Sequence, residues 1–295
     1  MTHPSQPSAD DLVWERPWPA QTSILVLAFA GYFDAALAAT GAVDHLITHT
    51  GATRLAHIDS DRYFDSQQVR PHVTLEDGVT RRITWPENVV HANEQSAVGR
   101  ELVLLSGIEP HYHWRDFSRL LVDLASTAAA QVIVTLGSTA AQTPHTRMPL
   151  VHASSTNDEL AQRFGLARPR YQGITGIVGV LHAELDARGI PAISMQVGVP
   201  HYAAGAPNPK AAMALLRNLE HVTGIPTGHT GLAEEATTWE RMVDDAISES
   251  PEATAYVPEL EARYDRQAAA EIPSSDDLAA EFERYLRELD EPPDA

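Results

Sequence analysis

Two copies of a Pro-His-Tyr tripeptide are the most chemically suggestive feature of the sequence. Their histidines are His111 and His201, and each copy follows a stretch predicted to be a buried strand. Imidazole and phenol groups serve as acids, bases or hydrogen-bond donors near neutral pH. If both loops face one cleft, His111, Tyr112, His201 and Tyr202 are candidate ligand-binding residues, with His111 or His201 as an acid or base.

The loop around the first tripeptide also contains Glu109 and His113. Two histidines and a carboxylate could bind zinc or iron. Their spacing matches no specific ligand motif, and a rigid, packed loop is the alternative interpretation. We therefore keep Glu109 and His113 as candidate ligand-binding residues, and we predict no metal and no cofactor.

Two further segments beyond predicted strands, and the stretch that follows the second tripeptide, supply the remaining candidates. His145 and Arg147 lie close together in one of them, where they suit an anion. Lys210 is the only lysine of the chain, so chemistry that needs a lysine has one candidate. Gly31 and Tyr32 form a sharp turn after the first strand, where a ligand could sit at a helix N-terminus, although a structural role is favoured there. No residue can be assigned a catalytic role.

Composition narrows the classes of function. The chain has 295 residues, 43% of them hydrophobic, and a formal net charge of −19. Such an acidic chain without a basic cluster is predicted to bind no nucleic acid. Cysteine is absent, which excludes disulfides and thiol chemistry. No apolar run has the ~18 residues of a membrane helix, and no secretory signal begins the chain, so we expect a cytoplasmic protein.

Apolar runs alternate with amphipathic stretches over most of the chain, which predicts an α/β fold with a mainly parallel sheet between helices. Residues 1–22 are predicted to be a flexible arm, 23–230 an α/β core and 231–295 a helical C-terminal appendage. Predicted strands are 23–30, 54–58, 101–106, 131–136 and 190–197, and predicted helices are 34–47, 114–130, 177–188 and 208–222. Asp77-Gly78 marks a hairpin within 72–85, either an insertion or an antiparallel edge.

The appendage is predicted from apolar residues at helical spacing. Three stripes can be traced, with no strand signal among them. Their members are Leu232, Ala236, Trp239, Val243 and Ala246; then Tyr256, Leu260 and Tyr264; then Leu278, Phe282, Tyr285, Leu286 and Leu289.

Several of these segments together resemble the proteasome assembly chaperone family, in its bacterial, actinobacterial-type branch. The segments are 24–33, 107–117, 144–147, 175–182, 199–210, 239–260 and 278–286. The resemblance implies a three-layer phosphorylase/hydrolase-like core, homo-oligomers and, in eukaryotic and archaeal relatives, binding to proteasome subunits. Those relatives dock through a C-terminal hydrophobic–tyrosine–any tripeptide. This chain ends in Pro-Pro-Asp-Ala295 and lacks that tripeptide.

Three functional hypotheses remain open from the sequence. The first is an oligomeric assembly or interaction protein linked to the proteasome. The alternative is a small-molecule hydrolase or phosphorylase-like enzyme that acts on an anionic substrate at the strand-end cleft, an analogy made at the level of the fold. A third reading is an oligomer that binds a metabolite in the same cleft without chemistry.

Overall fold

A computed structural model of the chain describes residues 11–18, 22–59, 61–93 and 101–271. The strands are β1 Leu12–Trp14, β2 Ser23–Ala30, β3 Thr53–Ile58, β4 His72–Glu76, β5 Thr80–Thr84, β6 Asn88–Asn93, β7 Glu101–Ile108, β8 Ala130–Ala141, β9 Val151–Ser154 and β10 Ala192–Pro200. The α-helices are α1 Ala38–Thr50, α2 Trp114–Thr127, α3 Asp158–Phe164, α4 Ile177–Ala187, α5 Pro209–Thr223, α6 Ala233–Ser248 and α7 Pro251–Glu271.

Eight strands form one mixed sheet in the order β1-β3-β6-β7-β2-β8-β10-β9. The four central strands β7, β2, β8 and β10 run parallel to one another. Antiparallel pairs join β6 to β7 and β9 to β10 at the flanks. The carboxyl ends of the central strands therefore lie at one edge of the sheet, where α/β proteins usually bind their ligands.

Helices cover both faces of the sheet, as the sequence predicts. On one face α1 and α5 bury an apolar cluster against the strands, which includes Leu46 and Leu215. On the other face α2 and α4 bury a second cluster, which includes Phe117 and Leu181. The continuous apolar run of β2 serves both clusters, since alternate side chains of a strand point to opposite faces. This confirms the predicted three-layer α/β class.

Strand boundaries differ from prediction where small residues continue a strand. β8 runs on to Ala141, so Gly137 and Ser138 lie inside the strand rather than in the loop beyond it. Ser138 is buried and its hydroxyl donates to the carbonyl of Ala35 at 2.8 Å. Leu12–Trp14, within the predicted arm, forms the edge strand β1 against β3. Three residues of alternating burial are too short to be recognised as a strand from the sequence alone.

The predicted hairpin is present as a separate two-stranded sheet of β4 and β5. Asp77 and Gly78 form its turn with φ values of 54° and 74°. Two consecutive positive φ angles match the twist of the strands, which is why Asp-Gly favours this turn. The hairpin is inserted between β3 and β6, which pair with each other in the main sheet.

The first two helices of the predicted appendage are observed as α6 and α7, and the predicted third stripe at 278–289 lies outside the described residues. Pro258 lies inside α7, and α7 packs on α6. In the part of the chain that the structure describes, no helix combines the length and hydrophobicity required to cross a membrane.

Candidate functional site

The candidate residues divide into two groups at the carboxyl edge of the sheet. One group follows β2 and β7, and the other follows β8 and β10. Among the described residues no hydrogen bond connects a candidate of the first group to one of the second. We call them the Glu109 group (Gly31, Tyr32, Glu109, His111, Tyr112, His113) and the His145 group (His145, Arg147, His201, Tyr202, Lys210).

In the Glu109 group, the carboxylate joins three segments of backbone. Glu109 Oε1 accepts from the N–H of Ile177 at 2.8 Å, and Oε2 accepts from the N–H of Tyr32 at 3.3 Å. The carboxylate fits because glycines adjoin it on two sides. A Cβ placed on Gly31 or on Gly176 would stand 2.6 Å from one of its oxygens. Glu109 thus occupies the N-terminus of α4, the position at which an anion could otherwise bind.

His111 and Tyr112 contact the loop after β3 through Asp65. His111 Nδ1 accepts from the Asp65 N–H at 3.2 Å, and the Tyr112 hydroxyl donates to Asp65 Oδ2 at 3.2 Å. The backbone N–H of Gln67 hydrogen-bonds the Asp65 carboxylate and is the main cause that lowers its pKa. His113 is exposed and has a φ of 56° directly before α2. These contacts secure the turn between β7 and α2.

In the His145 group, a buried imidazole links the core to the C-terminal helices. The backbone N–H of His145 donates to the Tyr202 hydroxyl oxygen at 2.9 Å, and Nδ1 lies 2.9 Å from the same oxygen. Nε2 lies 2.9 Å from Asp244 Oδ1 on α6. All groups are satisfied when the hydroxyl donates to Nδ1 and Nε2–H donates to Asp244. Burial raises the pKa of Tyr202, which keeps its proton in place for this bond.

The two cations of the same group also bind the C-terminal helices. Lys210 Nζ donates to the carbonyl of His145 at 2.7 Å and to Glu240 Oε2 of α6 at 2.6 Å. Arg147 donates from Nε and Nη2 to the two carboxylate oxygens of Asp265 on α7, at 2.9 and 3.0 Å. An ordinary anion site needs donors that are free to meet the ligand, whereas these donors are engaged by carboxylates of the chain itself.

A groove of about 580 Å³ lies beside the His145 group, between the loop after β10 and the two C-terminal helices. Of the candidate residues, His201 and Tyr202 line it. His201 Nδ1 is 3.1 Å from the carbonyl of Ala141, and its ring meets that of Tyr256 edge to face, with centroids 5.8 Å apart. The other lining residues are Ala203, Gly205, Ala206, Trp239, Met242, Val243, Ala246, Ile247, Ala253 and Val257. The groove is therefore predominantly apolar and carries no carboxylate or guanidinium.

The carboxylates that engage the His145 group were not recognised in the sequence. Glu240 and Asp244 are four residues apart on α6, and Glu261 and Asp265 are four apart on α7. This spacing places each pair on one face of a helix. Each of these two helices also has an apolar stripe. An acidic pair beside such a stripe is the signal that could have indicated that the helix docks onto loops with basic side chains.

Asp34 is a further buried polar residue, and its contacts show a structural role. It is buried, which raises the pKa of its carboxyl group. Its Oδ1 accepts from the N–H groups of Ala39 and Thr40 at 2.8 and 3.2 Å, and Thr40 also donates its hydroxyl to Oδ2. Asp34 thus caps α1 from across a 3₁₀ turn at Ala35–Leu37. Within the described ranges, no three His, Asp or Glu side chains stand close enough together to hold a metal ion.

Comparisons with known proteins identify the family. The PAC2 family model matches residues 28–247. A PAC2 family protein from Streptomyces avermitilis is 37% identical, with a TM-score of 0.74 over 80% of this chain and 99% of that one. A proteasome-assembly chaperone homologue from Mycobacterium tuberculosis is 38% identical, with a TM-score of 0.72 over 79% of this chain and 99% of that one.

A further M. tuberculosis protein of unknown function is 26% identical, with a TM-score of 0.78 over 91% of this chain and 94% of that one. Curated protein sequences give no match. The resemblance to the actinobacterial branch of the proteasome assembly chaperones is confirmed by these relatives. The chain belongs to the PAC2 family.

Proposed function

We propose that this protein is a cytoplasmic, homo-oligomeric assembly factor that binds proteasome subunits. The proposal is supported by membership of the PAC2 family and by the M. tuberculosis relative, which is described as a proteasome-assembly chaperone homologue. In this chain, the proposal rests on the contacts that its reactive side chains make. Lys210, Arg147 and His145 hold the C-terminal helices on the core, and a largely apolar groove lies beside them.

The groove has the character of a protein-binding surface. It is lined by the exposed Met242 and Ala246 of α6, by the half-buried Tyr256 of α7, and by the aromatic rings of His201 and Tyr202. Aromatic residues and methionine are enriched at the centres of protein interfaces, and charged residues are depleted there. Catalysis would instead require polar groups that converge on a reacting atom.

The surroundings of the groove define the chemistry of the partner. The segment from Ala233 to Glu271, which comprises the two helices and the turn between them, carries eleven acidic residues against three arginines. An apolar segment flanked by lysines or arginines complements an apolar groove between two acidic helices and the core. We therefore propose that a proteasome subunit binds through such a segment.

The proposal is tested with purified proteasome α- and β-subunits on a biosensor surface. Wild-type protein should bind at least one subunit, and Met242→Lys should weaken that binding at least tenfold, because a buried charge opposes docking. Thr237→Lys is the matched control, since it places the same charge on an exposed position of α6 outside the groove. It should bind like wild type.

The outcomes test the proposed function and the proposed binding surface separately. If wild-type protein binds neither kind of subunit, the proposed function is wrong. If Met242→Lys and Thr237→Lys both bind like wild type, the function stands and the groove is not the binding surface.

No observation on the described residues favours the enzymatic alternative. It requires the imidazoles and Arg147 to meet in one cleft, whereas their contacts lie in two groups. His145 and Arg147 are engaged by carboxylates on α6 and α7. We therefore propose no reaction.

A further inference from the structure

One face of the main sheet is polar and accessible where β10 runs between β8 and β9. On the face toward α5, Met195 and Val197 of β10 are buried in an apolar cluster. On the opposite face, Ser194, Gln196 and Gly198 are partly exposed. Side chains of a strand alternate between the two faces, so one strand has an apolar, covered face and a polar, accessible one. Strands in the middle of such a sheet are normally apolar on both faces, and this stretch departs from that pattern.

The neighbouring strands extend this polar surface. Gln196 pairs with Gly137 of β8 on one side and with His152 of β9 on the other. Ser194 lies opposite Ser154 of β9. Side chains of paired residues point to the same face at a spacing of about 5 Å, so these residues form one continuous surface. We call it the β10 surface, and its polar members are Thr139, His152, Ser154, Ser194 and Gln196.

The polar side chains of the β10 surface are not engaged by the protein itself. Among the described residues, none of these five side chains makes a hydrogen bond, and Gln196 Oε1 is buried without a partner. The carboxamide lies across Gly137, where a Cβ would stand 2.3 Å from Gln196 Nε2. A buried polar atom without a hydrogen bond costs about 1–3 kcal/mol. The donors of the His145 group are occupied by carboxylates, whereas these groups are available to a ligand.

No carboxylate, ammonium or guanidinium group belongs to the β10 surface. It adjoins His182 of α4, whose Nε2 lies 2.8 Å from Thr135 Oγ1 on β8. Burial lowers the pKa of His182, so this imidazole is neutral at neutral pH. Hydroxyl, carboxamide and neutral imidazole groups recognise uncharged polar groups through hydrogen bonds.

The segment 167–175 crosses the sheet beside this surface, and we call it the strap. It begins at the outer edge of β9, where the N–H of Ala167 donates to the carbonyl of Ala153 at 3.2 Å. It ends at α4, where the N–H of Ile177 donates to Glu109, the residue after β7. In the sheet, β10 and β8 lie between β9 and β7. The strap therefore passes over the region of β10 and β8.

The strap is held at its ends and is unpacked between them. All of its residues are exposed, and the side chains of Tyr171 and Ile174 are 71% and 75% accessible. The Tyr171 hydroxyl donates to the carbonyl of Ile174 at 2.8 Å, a contact within the strap. The guanidinium of Arg170 has no partner among the described residues. A segment with these properties is free to close over a ligand on the β10 surface.

The β10 surface and the strap supply complementary parts of one recognition chemistry. Tyrosine rings stack on the flat face of a nucleobase, and a glutamine carboxamide hydrogen-bonds to its edge. Serine and threonine hydroxyls hydrogen-bond to the hydroxyls of a sugar. A nucleoside combines an uncharged base with such a sugar, and a nucleotide adds a phosphate that suits the guanidinium of Arg170.

We propose that the β10 surface and the strap form a binding site for a nucleoside, either free or as part of a nucleotide. The base hydrogen-bonds to Gln196 and stacks on Tyr171, which brings the strap down onto the sheet. The site shares no residue with the groove between the loop after β10 and the C-terminal helices. It goes beyond the proposed function, and binding of proteasome subunits does not depend on it.

The test is ligand-observed saturation-transfer NMR on the full-length protein. The probes are adenosine, guanosine, cytidine and uridine, together with the 5′-monophosphate of each. At least one probe should bind, and Gln196→Ala should raise its dissociation constant about tenfold, because the base loses a hydrogen-bonding partner. Gln131→Ala is the matched control, since Gln131 is an exposed glutamine at the other end of β8. It should bind like wild type.

Variants of the strap test its part in the site. Tyr171→Ala should also weaken binding about tenfold, because stacking on a base contributes about 1–3 kcal/mol. Tyr171→Phe keeps the ring and should bind like wild type. Both variants keep the fold, since Tyr171 is exposed.

The two forms of the ligand are distinguished at Arg170. If the ligand is a nucleotide, its 5′-monophosphate should bind more tightly than the nucleoside, and Arg170→Gln should remove that difference. Equal binding of the two would identify the free nucleoside as the ligand.

Two results would overturn the proposal. One is the absence of binding by all of the probes. The other is a probe whose affinity is unchanged in Gln196→Ala or in Tyr171→Ala, because the proposed site requires both side chains.

Discussion

At the residue scale, the side chains with the strongest chemical character act as structural bridges. The paired histidine and tyrosine of each Pro-His-Tyr tripeptide lie at strand ends, as the sequence indicates. Their ring nitrogens and hydroxyls are directed to neighbouring loops and helices. His145 shows the pattern most clearly, since its buried ring contacts Tyr202 on one side and Asp244 on the other.

Lys210 gives the first prediction. Lys210→Met should lower the free energy of unfolding by about 1–3 kcal/mol, because the carbonyl of His145 and the carboxylate of Glu240 lose a charged donor in a buried position. Urea denaturation measures the change. Arg217→Met is the control, since Arg217 is exposed on the same helix and should leave stability within about 0.5 kcal/mol. Equal losses in both variants would contradict the role of Lys210.

Gly176 gives the second prediction. A Cβ at this position would stand 2.6 Å from Glu109 Oε1 and 2.9 Å from the ring of Phe33. Gly176→Ala should therefore destabilise the protein by roughly 1–3 kcal/mol through overpacking. Gly205→Ala is the control, because its Cβ would meet nothing within 4 Å. Thermal unfolding compares the two, and a neutral Gly176→Ala would mean that Glu109 is free to move away.

At the element scale, two acidic helices are fastened to loops that carry cations and imidazoles. α6 is held through Glu240 and Asp244, and α7 through Glu261 and Asp265. Tyr264 of α7 adds hydrogen bonds to the backbone of the loop after β8, accepting from Leu150 N–H and donating to the carbonyl of Met148 at 2.8 and 2.9 Å. The order of elements in the sequence predicts both helices, but not the faces by which they dock.

The third prediction concerns the pH dependence of α7 docking. Arg147 lowers the pKa of Asp265 below its ordinary value of 3.8. A carboxyl group with a lowered folded pKa contributes stability above 3.8 and loses it as the pH falls through the folded value. Asp265→Asn should therefore lower the melting temperature at neutral pH, and its difference from wild type should shrink as the pH falls below 3.8.

The control for this prediction is Asp245→Asn. Asp245 is an exposed aspartate on α6 with no ion pair among the described residues. Its difference from wild type should not follow the same pH profile. A difference for Asp265→Asn that persists unchanged into acid would show that the ion pair with Arg147 is not its cause.

At the scale of the whole molecule, net charge opposes compactness. A formal charge of −19 on 295 residues makes the folded state repel itself, and salt screens that repulsion. The fourth prediction is that 0.3 M NaCl raises the melting temperature by a few degrees over 10 mM salt. Glu234→Gln with Glu235→Gln should reduce this rise, because both glutamates are exposed on α6. A melting temperature independent of salt would contradict the prediction.

The sequence by itself determined the layered arrangement of strands and helices in this protein. Apolar runs of strand length, amphipathic stretches between them and the Asp77-Gly78 turn are local signals, because burial of a strand or the sign of φ depends on a few neighbouring residues. The segments that resemble proteasome assembly chaperones likewise indicated membership of the PAC2 family. β8 extends beyond its local signal, since Gly137 and Ser138 look like loop residues until they pair with β10.

Only the tertiary structure decided what the candidate side chains do. His145, Arg147 and Lys210 are separated from Asp244, Asp265 and Glu240 by 30 residues or more. Long-range partners of this kind have no periodic signature, since any exposed acid could serve. Whether a strand-end histidine is free to meet a ligand or already bonded within the chain depends on where the C-terminal helices pack, and that is settled by burial of Leu232, Trp239 and Leu260 far along the chain.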